Sequence, residues 1–319
     1  MRRKLIFLGF AVLLLGITRT VLPATVMHYS FDGTLGNDVP SGLVDETGTY
    51  TAEIIDGTDV NSAITYAEAN PVYNPSGTSA EFYNEVWSNN AGDTFLVPNS
   101  GGIDFSTFDK FTIELFVYPD STGSGNTRRI FSEEIYAYMY LDGSNTLHAI
   151  RKWGPGKWNE NWTHLTMANF PHDSWSHIAM TWDADAAGDK FKLYVDGELA
   201  ASDPGTSTPT VDSTAGFTIG GYQREAGSTA QYFVGKIDEF RLSDVALAPS
   251  QFLLYETGGS ASRPKPRNRA QNICEGVSLC WTPGDFAAEH DVYLGTDWDD
   301  VNDANTTSSE YIDRQALDA

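Results

Sequence analysis

The sequence predicts an all-β protein built as an antiparallel two-sheet sandwich. The firmest indication lies in residues 175–182 and 190–197, where apolar and polar side chains alternate. Successive side chains of a strand point to opposite faces of its sheet, so this period of two is typical of half-buried strands. Asp196-Gly197 then provides the left-handed backbone that a two-residue hairpin turn needs. Many short segments of this kind, separated by turn residues, indicate a sandwich.

The other elements follow from the same pattern. Pro119 and the polar, Gly-rich run after it end one long predicted strand, and Asp142-Gly143 is a further turn signal. One segment, Pro249 to Thr257, has a helical pattern, with Pro at its start and Gly just past its end. Besides the strands at 175–182 and 190–197, strands are predicted at residues 26–31, 50–55, 79–82, 94–97, 111–118, 130–131, 136–141, 147–150, 163–167, 217–220 and 233–242.

The first 24 residues are of a different kind. Arg2-Arg3-Lys4 precede an apolar run from Leu5 to Ile17, and a small residue, Ala24, ends the segment. This order is typical of a secretory signal peptide, which predicts a secreted or cell-surface protein with no membrane insertion after cleavage. An uncleaved anchor is the alternative, because Leu22 is less usual than Ala three residues before a cleavage point.

The chain is acidic, with a net charge of −23 that becomes −27 when the four basic residues of segment 1–24 are removed. Such an excess argues against nucleic acid and against anionic membrane surfaces, because both select basic patches. Solubility outside the cell explains the charge, and binding of divalent cations is the specific alternative.

Composition divides the chain into four parts. After the signal peptide at 1–24 comes a large β domain at 25–257, then a Gly- and Pro-rich basic linker at 258–269. The last part, 270–319, is shorter than a typical sandwich module of roughly 100 residues. The two cysteines, Cys274 and Cys280, lie in this last part. They could form a disulfide in an exported protein, although spacing alone does not prove the geometry.

Four sequence blocks resemble a known family. They are Tyr29-Ser-Phe-Asp-Gly33, Phe111 to Val117, Trp175-Ser-His-Ile-Ala179 with Leu193-Tyr-Val-Asp-Gly197, and Phe233 to Leu242. In this order they resemble the laminin G-like, concanavalin A-like jelly-roll domains of bacterial exported proteins, over roughly residues 25–257. The tail, with Leu279 to Gly284 and Val292 to Asp297, is similar to the opening strands of fibronectin type III-like modules.

The resemblance implies a structural calcium ion. In many members of the family the first and last strands lie side by side and hold calcium near residues that correspond here to Asp32 and Asp238. Two carboxylates, backbone carbonyls and water would satisfy the six to eight oxygen ligands of calcium. The alternative is that Asp32 is a turn residue beside Gly33 and that Asp238 pairs with a base such as Lys236.

Three tryptophans, Trp153, Trp158 and Trp162, surround a Gly-Pro-Gly connection and are the clearest ligand-binding feature. Aromatic faces stack on sugar rings, and the neighbouring Arg151, Lys152 and Lys157 would suit an acidic polysaccharide. The alternative is that some of these tryptophans pack over a sheet edge. His164 is expected to share a face with Trp162 if 163–167 is a strand.

The opening hairpin has two faces with different expected roles. Its apolar side chains are predicted to fill the core, namely Ile178, Met180, Trp182, Phe191, Leu193 and Val195. His177 and Tyr194 lie on the opposite face, where the family usually presents its groove, and are predicted to contact a ligand.

No catalytic motif is present. The Glu-x-Asp-x-Glu strand of laminarinase-type hydrolases on this fold does not occur, and neither does a Gly-x-Ser-x-Gly elbow or a His-Glu-x-x-His helix. We therefore expect a non-catalytic module that binds a polysaccharide or surface glycoprotein. A glycoside hydrolase or lyase, or an accessory domain of one, is the alternative, and a structural spacer of a larger surface protein is a further one.

Overall fold

The computed structural model describes residues 25–55, 63–69, 77–83, 93–98, 103–123, 125–133, 137–154, 160–210, 216–224, 228–255, 262–265, 280–282, 289–295, 300–301 and 304–316. No helix within those ranges is long and apolar enough to cross a membrane. The predicted signal peptide, Trp158 and Cys274 lie outside the described residues.

The described residues form twenty-two strands. They are β1 (Thr25–Tyr29), β2 (Leu43–Val44), β3 (Thr51–Ile55), β4 (Ala63–Glu68), β5 (Thr78–Tyr83), β6 (Thr94–Val97), β7 (Lys110–Pro119), β8 (Arg128–Glu133), β9 (Ala137–Leu141), β10 (Leu147–Lys152), β11 (Trp162–Met167), β12 (Ser176–Asp183), β13 (Phe191–Val195), β14 (Glu198–Asp203), β15 (Phe217–Ile219), β16 (Tyr222–Arg224), β17 (Ser228–Ala230), β18 (Gly235–Ser243), β19 (Ser262–Lys265), β20 (Cys280–Thr282), β21 (Glu289–Tyr293) and β22 (Tyr311–Ala316).

Two eight-stranded sheets make the sandwich. The first sheet has the order β14-β13-β12-β7-β18-β5-β4, with β1 also paired to β18, and the second has the order β11-β10-β9-β8-β15-β6-β3-β2. Every pairing in both sheets is antiparallel, so the predicted fold class is confirmed as an antiparallel sandwich with the architecture of a concanavalin A-like jelly roll.

The core lies between the sheets, and the hairpin of β12 and β13 contributes to it as predicted. All six of its predicted core side chains are buried in one continuous apolar cluster. Ile178 pairs with Val195 and Trp182 with Phe191, which places the alternating apolar residues on the same face. Asp196 and Gly197 both have positive φ angles, so the predicted left-handed turn between β13 and β14 is present.

The outer face of the first sheet is covered by residues 249–255. The helix expected at Pro249 to Thr257 is instead two 3-10 turns, Pro249–Gln251 and Leu253–Tyr255. Phe252 between them is fully buried, and together with its neighbours it forms a second apolar cluster over the sheet. The sequence pattern of this segment reflects packing against the sheet rather than the hydrogen-bonding period of an α-helix.

Within the described ranges, three short ladders lie outside the sandwich sheets: β16 with β17, β19 with β20, and β21 with β22. Part of the predicted linker, Ser262–Lys265, is therefore a strand, paired with the strand that begins at Cys280. The disulfide stays a prediction because its other member is not described, and so does the fibronectin type III-like character of the tail.

Candidate functional site

The outer face of the second sheet carries a row of aromatic rings on β9, β10 and β11. In β9, Met139 and Leu141 point into the core, so Tyr138 and Tyr140 point outward. In β10, Leu147 and Ala149 point inward and His148 outward, and in β11 the inward Leu165 leaves Trp162 and His164 outside. We call the five outward rings of Tyr138, Tyr140, His148, His164 and Trp162 the aromatic row.

Strand register brings these rings together. Tyr140 lies opposite His148 across the β9–β10 pair, and Tyr138 and His164 both lie opposite Ile150 of the middle strand. Ring centroids follow one another at 6.0 Å from Tyr138 to Tyr140, 4.3 Å to His148, 5.0 Å to His164 and 4.9 Å to Trp162. The expectation that His164 shares a face with Trp162 is thereby confirmed.

One end of the row is closed by Arg129 of β8. Its guanidinium carbon lies 4.0 Å from the ring centroid of Tyr138, 5.3 Å from that of Tyr140 and 4.9 Å from that of Tyr222. Its Nη2 donates to the Gln231 side-chain oxygen at 2.7 Å. Burial lowers the pKa of Arg129, while the three tyrosines act in the opposite direction. This end of the row is therefore cationic and aromatic in an acidic chain.

A hydrogen-bonded chain of Asp142, His148 and His164 runs through the middle of the row. His148 Nε2 is 3.1 Å from the Asp142 carboxylate and its Nδ1 is 2.7 Å from His164 Nε2. When Nε2–H of His148 donates to the ionised Asp142 carboxylate, Nδ1 of His148 can accept from Nε2–H of His164. Burial and the nearby His148 lower the pKa of His164 below its usual value. These hydrogen bonds thus fix the orientations of the two imidazole rings.

Exposure increases along the row from Tyr138 to His164. Tyr138 is 6% exposed, Tyr140 and Trp162 are half-buried, and His164 is exposed. Trp153 is also half-buried, and its backbone N–H donates to the Asn161 carbonyl at 2.8 Å, closing the β10–β11 connection beside Trp162. The sequence thus indicated one end of this surface, in Trp162 and His164, whereas Trp153 is not among the five rings of the row.

The remaining rings were missed, although a signal was available. Tyr138, Tyr140 and His148 occupy alternate positions of segments that were predicted as strands, opposite their apolar partners. Arg151 and Lys152 had been expected to contribute surface charge, but their side chains are buried, at 0% and 1% exposure. The cation that lies against the rings of the row is instead Arg129, which is 6% exposed and which no motif indicated.

His177 and Tyr194, predicted to line a groove, are covered. His177 is fully buried and Tyr194 is 7% exposed, and the Phe252 ring lies 5.4 Å and 5.2 Å from their ring centroids. The expectation of an open groove at these two residues is wrong, because residues 249–255 pack over this face of the first sheet.

A buried charge network holds that covering segment. Glu114 of β7 is fully buried, and its Oε1 accepts from Arg241 Nε at 2.9 Å and Nη2 at 2.6 Å. Its Oε2 is 2.9 Å from both His177 Nε2 and the Leu253 backbone nitrogen. Burial alone would raise the pKa of Glu114, but His177 and Arg241 together hold it below its usual value. The role of His177 that the structure reveals is therefore to anchor the covering segment.

The predicted calcium ligands lie at one end of the β1–β18 pair. The first and last strands of the sandwich are neighbours, as the resemblance implied, and Tyr29 pairs with Phe240. Asp32 is exposed and accepts from the Thr78 backbone N–H at 2.9 Å, whereas Asp238 is fully buried and accepts from the Glu239 N–H at 2.9 Å. Across the described ranges, no group of three or more His, Cys, Asp or Glu side chains could hold a metal ion.

Comparison with solved structures gives similar folds at low identity. Domain 4 of AbnA, an extracellular arabinanase from Geobacillus stearothermophilus solved with arabinotriose, is 23% identical with a TM-score of 0.45, covering 72% of this chain and 96% of that one. The binding domain of botulinum neurotoxin serotype G is 14% identical with a TM-score of 0.48, covering 72% of this chain and 49% of that one.

Two curated relatives match a short stretch. The chain is 35% identical over 81 residues to the sushi, von Willebrand factor type A, EGF and pentraxin domain-containing protein 1 of Rattus norvegicus, and 33% identical over 84 residues to that of Mus musculus. The matches cover 24% and 25% of this chain but 2% of each relative. A laminin G-type family model described as "Concanavalin A-like lectin/glucanases superfamily" matches residues 89–251, just over half of the chain. On that match and the two-sheet sandwich, the chain belongs to the concanavalin A-like lectin/glucanases superfamily.

Proposed function

We propose that this protein is a non-catalytic recognition module that binds glycan along the aromatic row, either as a polysaccharide or on a surface glycoprotein. The observation that carries the proposal is the succession of five rings across three strands, with centroid steps of 4.3 to 6.0 Å. Binding sites for small molecules are lined mainly by aromatic and apolar side chains, with a few polar groups that fix orientation.

The row supplies both kinds of contact. Trp162 offers apolar ring area for stacking on sugar rings, and Tyr140, whose face stacks on His148, offers the rest of its half-buried ring. The polar tips of both side chains add hydrogen-bonding groups. Asp142 and the two histidines add hydrogen-bonding groups beside the rings. Arg129 gives the closed end a positive charge, which favours an acidic glycan over a neutral one.

The test is a binding titration of the full chain with neutral and acidic polysaccharides. We expect Trp162→Ala and Tyr140→Ala each to weaken binding about tenfold, which corresponds to ~1.4 kcal/mol and lies within the range for an aromatic contact. Tyr293→Ala is the matched control, because Tyr293 lies on β21 outside the sandwich sheets. Unchanged affinity in both row variants would contradict the proposal.

The absence of catalysis is part of the proposal and has its own test. Incubation of the protein with any polysaccharide that it binds should release no new reducing ends and no unsaturated products. Product release by the wild type that is lost in Asp142→Asn would instead show that the aromatic row belongs to an active site, because Asp142 is the carboxylate that contacts His148 of the row.

We also propose an extracellular location and a structural calcium ion near Asp32 and Asp238. Support comes from the signal-like N-terminus, the acidic composition and the position of both residues at the end of the β1–β18 pair. A chelator should lower the melting temperature of the wild-type protein and leave that of Asp238→Asn unchanged. Chelator-insensitive melting of the wild type would remove calcium from the proposal.

A further inference from the structure

Among the described residues, four arginines of the sandwich are buried, and two of them, Arg241 and Arg128, have acidic groups nearby. Arg241 makes two hydrogen bonds to the Glu114 carboxylate. Arg128 donates to the Asp120 carbonyl and the Asn145 side chain, and the charges of Asp120 and Asp142 favour its ionised form.

Arg129, the third, lies on the outer face of the second sheet among the three tyrosine rings described above and donates to Gln231, while its Nε and Nη1 have no hydrogen-bond partner within the described ranges. A buried cation costs several kcal/mol unless a counter-charge and hydrogen bonds compensate it. Arg241 and Arg128 meet that requirement through acidic groups, and Arg129 meets part of it through its tyrosine rings and Gln231.

Arg151 of β10 is the least compensated of the four, because one ring and one carbonyl are its partners within the described ranges. Its side chain points between the sheets and is 0% exposed, with the guanidinium carbon 3.9 Å from the ring centroid of Trp182. Nη2 donates to the Thr208 carbonyl, whereas Nε and Nη1 are buried and find no acceptor in the described part of the chain. The tryptophan ring faces the guanidinium group, so it does not replace acceptors for these N–H groups in the guanidinium plane.

Nor does Arg151 have an acidic neighbour among the residues that the structure describes. Burial is the one cause that shifts its pKa, which is lowered to about 9, so the group remains a cation at neutral pH. A buried cation with no acidic partner and unused N–H donors is a costly arrangement of an arginine in a protein interior. A counter-ion would compensate the charge of such a group.

A second unused donor lies in residues 206–210, the segment whose Thr208 carbonyl contacts Arg151. The Thr206 carbonyl accepts from Trp182 Nε1 at 3.4 Å and the Thr208 carbonyl accepts from Arg151, so this segment closes over both side chains. Two residues further on, Thr210 is 0% exposed, and its hydroxyl has no hydrogen-bond partner within the described ranges. A hydroxyl group can donate to an anion as readily as it accepts.

We propose that Arg151 binds a small monovalent inorganic anion of the halide class, chloride in physiological media, between the two sheets. Nε–H and Nη1–H of Arg151 hold the ion, and the Thr210 hydroxyl is a further donor. A buried water would accept the same hydrogen bonds but would leave the charge uncompensated. A glycan carboxylate has no access, because the side chain is fully covered.

Thermal unfolding of the full chain tests the proposal, with sodium chloride compared with sodium gluconate at equal ionic strength. An anion that binds only the folded protein stabilises it in proportion to the logarithm of its concentration. Each tenfold increase in chloride above its Kd should raise the folded-to-unfolded ratio up to tenfold, or ~1.4 kcal/mol. For a domain of this size that is a rise in Tm of roughly 3 to 5 °C.

Arg151→Met should abolish the chloride response, and Arg314→Met should retain it, because Arg314 is exposed on β22 and pairs with Asp291. A wild-type Tm that does not depend on chloride would overturn the proposal, and so would an Arg151→Met variant that responds like the wild type.

Bromide provides a second measurement on the wild type alone, in case Arg151→Met does not fold. Crystals grown in sodium bromide should show an anomalous peak within hydrogen-bonding distance of Arg151 Nε. Water or empty density at that position, without anomalous signal, would overturn the proposal. Because the aromatic row takes no part in either measurement, the result is independent of glycan binding.

Discussion

Replacing Glu114 by glutamine is a sharp test of how residues 249–255 are held on the first sheet. Glutamine keeps the size of the side chain but leaves the Arg241 guanidinium buried without its carboxylate. Removing one partner of a buried ion pair costs about 3–5 kcal/mol. Since 1 kcal/mol shifts Tm by about 2–4 °C in a domain of this size, Glu114→Gln should lower Tm by roughly 6 to 20 °C.

The assay is thermal and urea unfolding followed by circular dichroism. The matched control is Asp185→Asn, which breaks the Lys110–Asp185 pair of 3.2 Å, in which the Asp185 side chain is 77% exposed. Exposed pairs of this kind contribute at most about 1 kcal/mol. A Glu114→Gln variant that is no less stable than Asp185→Asn would refute the reasoning.

The buried Glu114–Arg241 pair also makes the stability of the protein depend on pH, with a defined sign. The pKa of Glu114 is held below its usual value of 4.5, so the folded protein binds its proton less readily than the unfolded chain. The stability from this group is complete above about pH 4.5 and is lost as the pH falls through the lower folded pKa. Glu114→Gln should lack this loss.

Two further predictions concern His164 and Gly235. The pKa of His164 is lowered, so the free energy of unfolding should decrease as the pH falls below the usual histidine pKa of 6.5. This decrease should be smaller in His164→Gln and unchanged in the control His172→Gln. Equal pH profiles in the wild type and both variants would contradict this prediction. Gly235 has a positive φ, and a Cβ there would clash with the Tyr118 carbonyl oxygen. Gly235→Ala should therefore lower the free energy of unfolding, measured in urea, by at least about 1–3 kcal/mol. The control Gly188→Ala should leave it unchanged, because a Cβ at Gly188 meets open space.

The sandwich was predictable because apolar and polar side chains alternate along its strands. The inward positions of β12 and β13 differ clearly in polarity from their outward neighbours, and Asp196-Gly197 specifies the turn between β13 and β14. The missed strand Ala63–Glu68 has the sequence Ala-Ile-Thr-Tyr-Ala-Glu, in which the alternation is short and weak. Strand prediction thus succeeded where one face was buried and the pattern was long.

The environment of the outer faces was not predictable. Alternation shows that His177 points away from the core, but it does not show that a segment much later in the chain packs over it. The aromatic row depends on the register of three strands, which no local pattern specifies. Arg129, Tyr138 and Tyr140 become one surface only after pairing, whereas Trp162 stood out because three tryptophans lie close together in the sequence.

Mapping a bound oligosaccharide by NMR tests the central proposal most directly. With an oligosaccharide fragment of a polysaccharide that binds, we expect chemical-shift changes centred on Tyr140, His148, Trp162 and His164. The outer face of the first sheet, covered by residues 249–255, should show none. Shift changes confined to the first sheet or to the β21–β22 pair would contradict the assignment of glycan binding to the aromatic row.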